Sequence, residues 1–197
     1  EFCHDLEKGG VTPDFYEFLH LKRHYKTPVY VMIRPKGGPF FYSADEFLEM
    51  KNSIITFKEG GADGFVFGVL NADNEIDEAR NKALLDLAGE TPCTFHRAFD
   101  RTEDLEKSLQ ILIKLGFKTV LTSGGKKTAL EGKEQLKTLI KKYSDKIEIL
   151  IGGGVRSENI EELKAFTGGT SFHSSAILKY DTFVTDDEIK KLKKLSS

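Results

Sequence analysis

The chain has 197 residues, 30% of them charged, and a formal net charge of −2. That length suits one domain, 1–197, with a sizeable core, and the balanced charge without a basic stripe argues against nucleic acid and anionic membrane as partners. No apolar run approaches the ~20 residues that span a bilayer, and two cysteines fit a reducing cytoplasm better than a disulfide scaffold.

In chain order, Glu1-Phe2-Cys3 reads as the end of a strand. Thr12 before Pro13 predicts a helix start with proline in the first turn. A β-rich apolar run covers 28–34, and Ser43 with Glu46 then matches a capping box, in which cap and third residue satisfy each other's backbone donors. Gly60-Gly61 closes that helix. Further apolar runs follow at 64–70, 92–97, 118–123, 146–151 and 170–173. The helical patterns between them end at Gly89, Gly116 and Gly168-Gly169. One of these helices is predicted to start near Ser157, after Gly152-Gly153-Gly154-Val155. Thr185 with Glu188 matches a second capping box. The lysines at 141–142 and 190–194 fall on helical patterns and read as solvated faces.

Strands alternating with helices imply a parallel sheet. Alternation puts Val31 and Ile33 on one face and Met32 and Arg34 on the other; it likewise separates Cys93 and Phe95 from Thr94 and His96. A face carrying Arg34, Thr94 and His96 resembles the inside of a barrel near its mouth, so the pattern predicts a TIM-type (β/α)₈ barrel. Six runs and the opening fragment make seven strands where closure wants eight. The expectation is therefore a barrel lacking its first strand–helix unit, with an open seam that leaves room for a homo-oligomer.

Barrel function gathers at the C-terminal strand ends. Those ends carry Glu1, Cys3, Arg34, Gly68, His96, Arg97, Asp100, Thr122, Ser123, the glycines at 152–154, His173 and Ser175. His96 has the chemistry of a general acid or base. Arg34 and Arg97 have the bidentate fork that fixes carboxylate or phosphate, and Asp100 can orient a histidine or pair with an arginine. The same cluster is also what an ion-pair network closing the mouth would use. Gly153, Gly154 and Ser175 sit where barrels build a backbone cradle for phosphate or another anion. Cys93 shares an apolar face and reads as a small buried hydrophobe. Cys3 faces inward beside Met32, a soft pair suited to Cu(I).

Several stretches, in order along nearly the whole chain, resemble the CutC family. They are Gly9-Gly10-Val11-Thr12-Pro13, Val31-Met32-Ile33-Arg34-Pro35-Lys36-Gly37-Gly38, Gly61-Ala62-Asp63-Gly64-Phe65-Val66-Phe67-Gly68 and Thr94-Phe95-His96-Arg97-Ala98-Phe99-Asp100. Val120-Leu121-Thr122-Ser123-Gly124, Gly152-Gly153-Gly154-Val155 and Phe172-His173-Ser174-Ser175-Ala176 complete the set. The resemblance implies a TIM-type barrel, a cytoplasmic location and a part in copper homeostasis. It also implies Cu(I) ligands in a first-strand and a second-strand cysteine. Cys3 matches the second; the first has no counterpart here. Two functions stay open: a Cu(I)-binding homeostasis protein, and an enzyme or sensor for a small phosphorylated or carboxylated metabolite.

Overall fold

The structure is a computed structural model that describes residues 1–178, 181 and 183–196. Six parallel strands form one curled sheet in sequential order: β1 (Tyr30–Met32), β2 (Gly64–Phe67), β3 (Cys93–Phe95), β4 (Thr119–Thr122), β5 (Glu148–Ile151) and β6 (Ser171–Phe172). The opening fragment takes a strand's place outside β1. Phe2 bridges Val31 in parallel, its N–H donating to Tyr30 and its carbonyl accepting from Met32.

Among the described residues seven α-helices accompany the sheet: α1 (Phe15–His24), α2 (Ala44–Glu59), α3 (Glu78–Ala88), α4 (Leu105–Leu115), α5 (Lys133–Tyr143), α6 (Ile160–Thr167) and α7 (Asp186–Ser196). Alternation along the strands decides what lies beneath them. Val31, Phe67, Phe95, Val120 and Ile151 point outward into one cluster with Phe18, Ile54, Leu84, Leu112, Leu136 and Leu163 of the helices. Each such side chain contributes about 1.5–3 kcal/mol on burial, so this layer dominates the fold's stability. Cys93 belongs to it, with its thiol pushed up to about 12 by burial. Met32, Val66, Thr94 and Leu121 are buried too but lie outside that cluster, on the inner face.

The helix starts depart in part from expectation. Ser43 and Glu46 form the full capping box. α1, however, is capped by Asp14, whose carboxylate accepts from the backbone of Tyr16 and Glu17, while Thr12 accepts from the backbone N–H of Arg34. Thr185 accepts from the backbone of Glu188, but the carboxylate does not reciprocate. It reaches back to Ser157, accepting from its N–H at 2.7 Å and its hydroxyl at 2.6 Å. Ser157 is therefore a docking point for α7, and α6 starts later, at Ile160.

Glu188 is a buried carboxylate whose pull in opposite directions can be read out. Burial raises its pKa, but the two bonds from Ser157, with the Lys191 and Arg156 charges, together hold it below the usual glutamate value. A depressed pKa gives stability that is present above the unfolded value and lost as pH falls through the folded one. Glu188→Ala is expected to cost about 1–3 kcal/mol at neutral pH, measured by denaturant melts. The penalty should shrink as pH falls below the ordinary glutamate range; a pH-independent penalty would contradict this linkage.

Candidate functional site

The C-terminal strand ends converge on a cavity of about 240 Å³. Glu1, Cys3, Gly10, Met32 and Phe40 line one part of its wall, and His96, Arg97, Leu121, Gly153, Gly154, Arg156 and residues 173–175 line the rest. The inward positions of successive strands are thus brought together, as the alternation predicts.

Arg34 is almost wholly buried, with both terminal nitrogens of its guanidinium taken up by backbone and Nε left without a partner among the described residues. Nη1 donates to the carbonyls of Lys8, Gly9 and Gly10 at 3.0–3.1 Å, and Nη2 to that of Gly38 at 2.9 Å. Phe40 stacks on it at 4.8 Å. Instead of presenting a fork to a ligand, Arg34 clamps the segment after Cys3 to the loop after β1.

His96 is buried beside it. Its Nδ1 accepts from the backbone N–H of Ala98, so the neutral ring carries its proton on Nε2, and that atom has no partner among the described residues. Burial, reinforced by the Arg34 charge, lowers its pKa to about 3. At neutral pH the ring is a hydrogen-bond donor, which narrows the acid–base expectation. Gly68 makes room for it: a Cβ there would sit 2.7 Å from Nδ1.

Arg97 and Asp100 form the ion pair the sequence allows, at 2.8 Å. Asp100 also accepts from the Thr122 hydroxyl at 2.6 Å and from the backbone N–H groups of Ser123 and Gly125. Arg97 Nη2 donates to Ser123 Oγ and to the carbonyl of Lys126. The network closes the mouth between β3 and β4. Arg97 Nη1 donates to nothing among the described residues and faces Gly153, where a Cβ would lie 3.2 Å away.

Gly153 and Gly154 both have positive φ, 97° and 79°, a turn that glycine makes without strain. Their N–H groups, with those of Ser174 and Ser175, donate no hydrogen bond among the described residues. Arg156 ties this region together, donating to the carbonyls of Val155 and Ile177 and to the hydroxyls of Ser174 and Ser175. Sequence reasoning passes over Arg156, though its place two residues after the glycine run was the available signal. His173 contacts Glu1 at 3.6 Å; burial lowers its pKa and Glu1 partly offsets that.

The Cys3 and Met32 side chains come together over Gly10. A Cβ there would lie 3.2 Å from Cys3 Sγ and 3.5 Å from Met32 Cε. Burial, then the Glu1 charge, raises the Cys3 pKa. Outside the strand ends, His20 and His24 lie one turn apart on α1 with ring centroids at 4.1 Å, a spacing the strand-end reading does not reach. Among the described residues, no three His, Cys, Asp or Glu side chains gather as a metal site.

A curled parallel sheet with a cavity at its strand ends defines an α/β protein of half-barrel form. The chain belongs to the CutC family, whose model matches residues 1–178. It is 42% identical to the human copper homeostasis protein cutC homolog over 89% of this chain and 64% of that one. The mouse counterpart is 43% identical, over 89% and 65%. The chain thus spans just under two thirds of these relatives' length. A CutC structure from Streptococcus agalactiae is 34% identical with a TM-score of 0.80, covering 87% of this chain and 85% of that one.

The neutrality of His96 is directly measurable. Its ring nitrogens should show a single Nε2–H tautomer by ¹⁵N NMR from pH 8 down to about 4, without a titration step. A midpoint near the ordinary value of ~6.5 would contradict the buried, Arg34-facing placement.

Proposed function

We propose that this chain serves copper homeostasis by binding Cu(I) at the mouth of a closed (β/α)₈ barrel in the cytoplasm. The names of the human and mouse relatives support the homeostasis part. The observation that carries the ion chemistry is the meeting of Cys3 and Met32 over Gly10. A thiolate and a thioether are soft donors that select Cu(I) over harder cations. Cu(I) is satisfied by two sulfurs, whereas a zinc centre wants about four ligands. Closure is supported by the curl of the sheet and by the Phe2 segment beside β1, which with the six strands makes seven positions. One further strand between Phe2 and β6 would complete the ring. No helix among the described residues is long and apolar enough to cross a membrane.

Because the thiol pKa is raised, the ion must displace a proton. Apparent affinity should then rise about tenfold per pH unit below that pKa. An anaerobic Cu(I) titration against a competing chelator tests the reading. It predicts one ion per chain, binding lost in Cys3→Ser and weakened about tenfold in Met32→Leu. Undiminished binding in Cys3→Ser would sink it.

A second reading, an enzyme or sensor for a small anionic metabolite, is favoured by one observation. Four amides, of Gly153, Gly154, Ser174 and Ser175, have no acceptor among the described residues although they border the cavity.

A further inference from the structure

The donors on the cavity wall are of two kinds. Toward β5 and β6 stand the four amides and Arg97 Nη1, with the Arg156 guanidinium behind the serine hydroxyls. Consecutive free amides in a positive-φ turn form a concavity that fits the three terminal oxygens of a phosphate group. Two guanidinium groups stand on the wall; Arg97 is paired with Asp100 through Nε, which leaves its Nη1 open toward the cradle, and Arg156 has no carboxylate partner among the described residues. Such charge-assisted bonds are about twice as strong as neutral ones.

The cavity is much larger than a phosphate group, and the remainder is lined by Leu121, Met32, Phe40 and His96. His96 is 3% exposed and offers a buried Nε2–H without a partner. A buried donor without an acceptor is costly, and a neutral acceptor oxygen would recover that cost. Phe40, packed over the imidazole at 4.8 Å between ring centroids, is the side chain that would yield to such a group.

We propose that the mouth binds the phosphate monoester of a small carbonyl compound. Its phosphate lies on the amides of Gly153, Gly154, Ser174 and Ser175 with Arg97 Nη1, and its carbonyl oxygen accepts from His96 Nε2–H. This rests on the anionic-metabolite reading and is independent of copper. His96 acts here as a positioning donor that selects the carbonyl.

Calorimetric titration of the full chain with inorganic phosphate, propyl phosphate and acetol phosphate tests both levels. The expected result is that all three bind, with acetol phosphate about tenfold tighter than propyl phosphate, the worth of one well-made hydrogen bond. That advantage should vanish in His96→Phe and survive in part in His96→Gln, which keeps a donor. Gly154→Asp, which sets a carboxylate in the cradle, should abolish binding of all three, while Gly154→Asn, carrying the same backbone strain, should retain it. Equal affinity for the two esters, or an advantage that persists in His96→Phe, would overturn the carbonyl assignment and leave the anion reading standing. Failure of inorganic phosphate and both esters to bind the wild type would overturn both.

Discussion

The buried guanidinium of Arg34 is the interaction on which the mouth depends. Removing an arginine from water is costly unless its donors are met, and here four carbonyls from two separate segments meet those of Nη1 and Nη2. Those bonds fix Gly10 in place, and Gly10 is where Cys3 and Met32 come together. Burial keeps the His96 imidazole neutral, and the same charge reinforces it and supports the Phe40 ring that covers it. A residue that looks like a ligand-binding arginine thus spends both of its terminal nitrogens on the backbone, leaving Nε without a partner among the described residues, and so shapes the groups around it.

What remains unspent falls into two chemistries that share one cavity. The sulfurs of Cys3 and Met32 are soft and lie at the edge where the Phe2 segment joins β1. The amides and arginines are hard-anion donors and lie at the β5 and β6 ends. Neither set needs the other for its own ligand, which is why copper and a phosphorylated metabolite are separable by experiment. The Arg97–Asp100 pair braces the hard-donor side: Asp100 is saturated from within, by Thr122, Ser123 and Gly125, while Arg97 keeps Nη1 open. Asp100 is therefore a girder of the mouth.

Much of this was legible in the sequence, for a physical reason. Period-two alternation in short strands sorts side chains by face without knowledge of the fold, so Cys93 could be assigned to the core and Cys3, Arg34 and His96 to the interior. Glycines ending helices were equally readable, since positive φ at Gly89, Gly116 and Gly168 leaves few alternatives. Long-range partners were hidden. Nothing local tells that Arg34 would find carbonyls some 25 residues away, that Glu188 would leave its own helix start for Ser157, or that Asp14 would displace Thr12 as the cap. Arg156 reads as an ordinary surface arginine until β6 brings Ser174 and Ser175 beside it.

The claim that Arg34 organises the mouth is tested most directly by Arg34→Met, which keeps much of the side-chain volume and removes the donors and the charge. Two readouts report on it together: ¹⁵N titration of His96 and amide hydrogen exchange across residues 5–10. With the guanidinium gone, the His96 pKa should rise from about 3 toward the ordinary value, and the 5–10 segment should lose protection while the helices keep theirs. An unmoved His96 titration together with unchanged exchange in that segment would contradict the account and return Arg34 to the rank of one buried side chain among many.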